Sequence, residues 1–186
     1  QKTSAFEICD VLGKAPDWLC LPVGNAGNIT SYWMGFRQYH QLKKTGLPRI
    51  LGVQAEGSAP LVLGHPVENP ETVATAIRIG KPARGEQALE AAQESGGKII
   101  AVSDPTILDM QAMLAAEGVW VEPASAAGLA GLLHEVRTNR LMLDGQSIVT
   151  VCTGHGLKDP DIITRRAPSI QLLPPELQAL EKALLS

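Results

Sequence analysis

The sequence predicts a layered α/β/α fold built on a mostly parallel sheet, and three observations predict it. Short apolar runs alternate with longer amphipathic ones along the 186 residues. Two of the apolar runs, Ile50-Leu51-Gly52-Val53 and Ile99-Ile100-Ala101-Val102, lack polar alternation, as strands covered on both faces do. The separation between successive runs leaves room for a helix in each crossover, the arrangement that right-handed βαβ units require. With 45% apolar residues the chain can bury one sizeable core. The expected division is a body over residues 1–164 and a C-terminal linker and helix over 165–186.

Taken in order, the elements have readable limits. Residues 2–12 read as an amphipathic helix with Phe6, Ile8, Cys9 and Leu12 on its apolar side. A strand follows at 18–23, then a helix over 29–45 that Gly46 and Pro48 end. Residues 49–55 form the second strand. The Gly- and Pro-rich stretch 56–70 is a long irregular connection, and 72–77 reads as helical. A helix over 85–95 stops at Gly96-Gly97, before the strand 98–102. Ser103 or Asp104 caps a helix over 105–117 with Pro105 in its first turn. A short strand at 119–122 leads into a helix over 124–137, and 147–152 is the last strand. The proline-rich 165–175 stretch links to an amphipathic helix over 175–185, docked on the body or on a partner. The chain opens on Gln1 with amphipathic helix beginning at once, which leads us to expect a segment of a longer polypeptide.

Composition narrows the function classes. Sixteen basic against nineteen acidic residues give a net charge of −3 without a basic run, which argues against nucleic acid. Arg165-Arg166, followed by Pro168, reads as a solvated turn. No apolar stretch approaches the roughly 20 residues that cross a bilayer, and no secretory signal is read. Cys9, Cys20 and Cys152 form no CxxC pair, and Cys20 and Cys152 lie in apolar runs, so small buried residues of a reduced cytoplasmic protein are expected. His40, His65, His134 and His155 lack metal-ligand spacing, and no metal is expected.

Candidate chemistry gathers where ligands collect in open α/β sheets, beyond the carboxyl ends of the strands. Leu21-Pro22-Val23-Gly24-Asn25-Ala26-Gly27-Asn28 runs from an apolar strand through glycines and asparagines directly into a helix. Free N–H groups and the positive end of a helix dipole then meet at one point, which suits a phosphate. An ordinary strand–turn–helix connection is the other reading. Thr153 closes the last strand ahead of Gly154-His155-Gly156, either as a cap or as a hydroxyl in a site. Glu122 is a helix-dipole partner or a site carboxylate. Ser125 falls in a first helical turn with a hydroxyl free to bond the backbone. Arg78, in an apolar stretch, pairs with a surface carboxylate or binds an anionic substrate. His155 is a proton carrier or a structural turn residue. A non-catalytic nucleotide-binding module is the contrasting class. It lacks GxGxxG, although Glu56 occupies roughly the acidic position after the second strand.

Several segments together resemble threonine synthases, pyridoxal-phosphate enzymes of the tryptophan-synthase-like type II fold. They are residues 1–7 (Gln1-Lys2-Thr3-Ser4-Ala5-Phe6-Glu7), 22–28, Ala74-Thr75-Ala76-Ile77-Arg78-Ile79-Gly80, Glu122-Pro123-Ala124-Ser125-Ala126-Ala127 and Thr153-Gly154-His155-Gly156-Leu157-Lys158-Asp159. The resemblance spans nearly the whole chain. It implies conversion of O-phospho-L-homoserine and water to L-threonine and phosphate, in a cytoplasmic homodimer. It further implies that Gly24, Asn25, Ala26, Gly27 and Asn28 hold the phosphate of pyridoxal 5'-phosphate and that Thr153 hydrogen-bonds the pyridine nitrogen. Arg78, Glu122, Ser125 and His155 are the further candidates for lining the site. The family's imine-forming lysine sits in a Ser-Phe-Lys-Asp-type motif that none of the eight lysines here matches, Lys158 included. Lys158 is expected in a surface ion pair. The expectation is the C-terminal portion of such an enzyme, inactive alone. Serine or threonine dehydratase and cysteine synthase share the fold and are the alternatives.

Overall fold

A computed structural model describes residues 1–162 and 172–185. It opens with α1 (Thr3–Leu12), β1 (Trp18–Pro22), α2 (Gly27–Lys43) and β2 (Arg49–Ala55). A single turn α3 (Pro60–Leu63) and a 3-10 turn (Thr75–Ile77) precede α4 (Gly85–Glu94) and β3 (Lys98–Val102). Then come α5 (Asp104–Ala116), α6 (Pro123–Arg137), β4 (Ile148–Thr150), a 3-10 turn (Gly156–Lys158) and α7 (Leu177–Leu184).

The strands form one parallel sheet in the order β3-β2-β1-β4. Side chains alternate across it, as the pleat demands. Leu19, Leu21 and Ile50 face a core made with α1, α2 and α4, while Trp18, Cys20, Leu51 and Val53 face one made with α5 and α6. Both faces are therefore covered, which is why the strand sequences lack polar alternation. Helix α6 lies close on the sheet because it presents glycine there. A Cβ on Gly128 would stand 3.1 Å from the Leu21 Cα, and one on Gly131 would drive into the Val53 side chain.

Strand order contains a reversal. The chain moves outward from β1 through β2 to β3, then returns through α5 and α6 to place β4 on the free side of β1. The carboxyl ends of β1 and β4 thus flank a topological switch point, the crevice where open α/β sheets bind ligands.

Several expected elements differ, and the last strand is Ile148–Thr150 rather than 147–152. Residues 72–77 shrink to the Thr75–Ile77 turn, because Asp104 takes up the segment's donors. The Thr72 hydroxyl and the Val73 N–H both donate to its carboxylate, and the Ala74 N–H donates to Thr72 Oγ1. Residues 119–122 form only an isolated bridge between Val121 and His155, since Glu122 already caps α6 and Pro123 has no N–H to extend a ladder. Residues 60–63, expected to be irregular, make a helical turn started by Pro60. Cys152 falls beyond β4 and is exposed, contrary to expectation, whereas Cys9 and Cys20 are buried. Burial pushes the Cys20 thiol up to about 12, which leaves it unreactive. Helix α7 has no buried residue. Arg165, Arg166 and most of the expected linker lie outside the described residues.

Candidate functional site

The 24–28 loop leaves β1 at its carboxyl end and enters α2. Ala26, at φ 66°, holds the left-handed turn that swings the chain into the helix. Gly24 is required by close approach, since a Cβ there would lie 3.0 Å from the Ala76 carbonyl oxygen and 3.1 Å from the Ile77 Cα. Asn28 closes the turn, its Nδ2 donating to the Pro22 carbonyl at 2.8 Å while its Oδ1 accepts the Ile29 N–H at 2.7 Å. The Asn25 side chain accepts the Ala83 N–H at 3.4 Å and its carbonyl accepts the Arg84 N–H at 3.2 Å, tying the loop to the start of α4. Among the described residues, the backbone N–H groups of Gly24, Asn25, Ala26, Gly27 and Asn28 reach no protein acceptor. A Cβ on Gly27 would meet nothing within 4 Å. The result is a set of unpaired donors at the positive end of a 17-residue helix, bordering open space.

Thr153 leaves the neighbouring strand at the same edge. Cys20 pairs with Thr150, and the Val151 N–H donates to the Cys20 carbonyl at 2.9 Å. Val23 lies three positions beyond Cys20 and Thr153 three beyond Thr150, so the glycine loop and the threonine both follow the carboxyl ends of paired strands. Its hydroxyl is 2.8 Å from Ser125 Oγ, and Ser125 Oγ accepts the Gly154 N–H at 2.7 Å. Ser125 is buried and Thr153 is exposed. The Glu122 N–H donates to the Gly154 carbonyl at 3.1 Å, completing the stitch between the start of α6 and the 153–156 turn.

The other candidates take definite places. Glu122 is buried at the same corner and ion-pairs with Lys158 at 3.1 Å, so the surface pair expected for this lysine has a buried carboxylate as its partner. A Cβ on Gly154 would collide with that carboxylate. His155 sits edge-on to Trp120, with ring centroids 5.1 Å apart, and its Nδ1 accepts the Leu157 N–H at 3.2 Å, a turn-stabilising arrangement. Arg78 faces Glu71 at 3.8 Å in a depression also lined by Asp104, Asp159 and Asp161, the carboxylate-pairing alternative. The fold thus gathers the 24–28 loop, Thr153, Ser125, Glu122 and Lys158 along one edge. Ser125's bond to Thr153 spans 28 residues of sequence, and no local pattern signals it.

Residues 1–154 match the family model of pyridoxal-phosphate dependent enzymes. The chain belongs to that family. It is 53% identical over 188 residues to the threonine synthase of Synechocystis, covering 99% of this chain and 48% of that protein. Identity is 54% over 186 residues to that of Mycobacterium tuberculosis (99% and 51%) and 56% over 162 residues to that of Halalkalibacterium halodurans (87% and 46%). The chain spans about half the length of these curated relatives. Among solved structures, the T.th. threonine deaminase superposes with a TM-score of 0.63 at 25% identity, over 83% of this chain and 56% of that one. An L-serine ammonia-lyase from Rhizomucor miehei gives 0.68 at 24% identity, over 89% and 55%, and it shows the shared type II fold alone. Pyridoxal 5'-phosphate is the cofactor that family membership implies, and the unpaired donors of the 24–28 loop fit its phosphate. Among the described residues no helix is long and apolar enough to cross a membrane.

Proposed function

We propose that this chain is the C-terminal portion of a threonine synthase, supplying the phosphate and ring-nitrogen contacts of pyridoxal 5'-phosphate. The complete enzyme converts O-phospho-L-homoserine and water to L-threonine and phosphate. One observation carries the reading: the unpaired N–H groups of Gly24, Asn25, Ala26, Gly27 and Asn28 and the Thr153 hydroxyl follow the carboxyl ends of adjacent parallel strands at the switch point. Identities of 53–56% to threonine synthases support the choice of reaction.

In this reading the loop binds the phosphate through backbone donors and the α2 dipole, with Gly27 leaving room for its oxygens. When bound, the cofactor supplies an electron sink for negative charge developing at the substrate's α and β carbons. Thr153 donates its hydroxyl hydrogen to the pyridine nitrogen. An alcohol is too weak an acid to give that proton up, so the nitrogen stays uncharged and the sink is restrained. Lys158 pairs with Glu122, which balances the charge of that buried carboxylate. Arg78 and His155 serve the walls of the site through the contacts they already make. The intact enzyme is a cytoplasmic homodimer.

None of the eight lysines has the imine-forming context, and the Lys158 amine is engaged with Glu122. The isolated chain therefore forms no threonine from phosphohomoserine. Supplying phosphohomoserine to the full-length polypeptide tests the proposal, with matched release of phosphate and threonine expected. Ammonia and a keto acid released from threonine, with no phosphate from phosphohomoserine, would establish a dehydratase instead. Sedimentation of the intact enzyme at monomer mass would remove the homodimer.

A further inference from the structure

The buried Ser125 hydroxyl has two polar neighbours, and their chemistry fixes its direction. The Gly154 N–H is only a donor, so at 2.7 Å Ser125 Oγ must accept from it. The hydroxyl's own hydrogen then needs an acceptor. Among the described residues Thr153 Oγ1, 2.8 Å away, is the one it reaches. If Thr153 donated to Ser125 instead, the Ser125 hydrogen would be left without an acceptor at a residue 2% exposed, an arrangement buried polar groups avoid. One satisfied ordering remains: Gly154 N–H to Ser125 Oγ, Ser125 O–H to Thr153 Oγ1, and Thr153 O–H outward.

We infer that Ser125 is a positioning residue that sets the polarity of Thr153, holding its hydroxyl as a donor toward the ligand. The relay rests on the proposed role of Thr153 and adds a cause to it. A threonine without such a neighbour can turn its hydroxyl either way and accept from a protonated ring as readily as donate to an unprotonated one. With Ser125 donating to it, Thr153 Oγ1 has one lone pair fewer to offer a protonated ring, and its own hydrogen, directed outward, matches the uncharged pyridine nitrogen. Each bond in the chain also polarises the next. The device is built from the first turn of α6, which the glycine contacts of Gly128 and Gly131 hold firmly against the sheet.

The test uses the full-length enzyme loaded with pyridoxal 5'-phosphate carrying an NMR-active isotope at the pyridine nitrogen. The wild-type resonance is expected in the range of an unprotonated, hydrogen-bonded nitrogen. A pyridinium resonance in the wild type would overturn the relay without any variant being needed. Ser125→Ala is expected to move the signal toward that of a nitrogen without a donor and to weaken cofactor retention roughly tenfold, the worth of about one hydrogen bond. Thr153→Val should move the signal in the same direction, and adding Ser125→Ala to it should produce no further change. A Ser125→Ala signal and retention equal to wild type, or shifts that add in the double variant, would refute the relay. A Thr153→Val signal equal to wild type has a different meaning: it removes Thr153 from the ring, and the relay falls with that reading.

Discussion

The two ends of the β1–β4 strand pair are built on opposite terms. At the amino end the polar groups are matched. Asp17 Oδ2 accepts both the Ser147 N–H and the Ser147 hydroxyl at 2.8 Å, and the Asp17 N–H donates back to the Ser147 carbonyl at 2.9 Å. The Trp18 indole donates to Gln146 Oε1 at 2.9 Å, Arg49 donates to the same oxygen at 3.0 Å, and the Arg49 guanidinium lies 4.5 Å from the Trp18 ring centroid. At the carboxyl end the 24–28 loop leaves its donors unpaired among the described residues, and Thr153 is exposed, with its hydroxyl 2.8 Å from Ser125 Oγ. Parallel pairing gives both ends the same strands and the same spacing. The amino end thus closes on its own polar groups, whereas the carboxyl end keeps backbone donors unpaired, the kind of group that an anion can satisfy.

Substitutions at the two ends should therefore part company. The largest expected effect is from Gly27→Asp. Its side chain enters open space, and a carboxylate at a helix start favours folding, so thermal stability holds or rises. The same carboxylate occupies the cradle and repels phosphate, and cofactor retention in the full-length enzyme should fall about a hundredfold, near 2.7 kcal/mol, by equilibrium dialysis. Retention within twofold of wild type would break the comparison. Next is Trp18→Phe at the amino end, which removes the indole donor and part of a buried ring. Urea unfolding should report a loss of about 2 kcal/mol, with cofactor retention unchanged.

Asn28→Ala tests the hinge between the two terms, because Asn28 shapes the open end by closing its turn. Loss of its bonds to Pro22 and Ile29 should cost about 1 kcal/mol of stability and weaken cofactor retention as well. An effect on only one of the two would show that turn and cradle are independent. The smallest effect is in acid. Bonds from the Ser147 backbone N–H and then its hydroxyl hold the Asp17 carboxyl below its ordinary value of 3.8. A carboxyl depressed in the folded state contributes stability above its unfolded value, and that contribution is lost as pH falls from about 4 through the folded value. Asp17→Asn should thus flatten the fall in urea midpoint between about pH 5 and pH 3. Asp10, also held low by its bonds to Tyr39 and Lys43, retains part of the slope. An unchanged slope would remove the Asp17 clamp.

Much of this was legible in sequence because it is local. The strand bounds 49–55 and 98–102 coincide with β2 and β3, since uninterrupted apolar runs bounded by Gly, Pro and charge leave little freedom. Ser103 caps α5 by accepting the Thr106 N–H, a bond between residues three apart. The 72–77 segment departs from its sequence pattern for the opposite reason. Its fate rests on Asp104, some thirty residues away, and no window along the chain contains both.

The amino-acid order by itself determined the alternation of strands and helices, the glycine–asparagine loop and the late threonine, because each depends on backbone preferences and periodicity within a few residues. Tertiary structure alone decided that β4 returns beside β1, that Ser125 meets Thr153 and Gly154, that Lys158 finds buried Glu122, and that Asp17 clamps Ser147. These are contacts between segments dozens of residues apart. Their geometry is set by strand register and by how closely α6 packs on the sheet, and neither is encoded in any single stretch of chain.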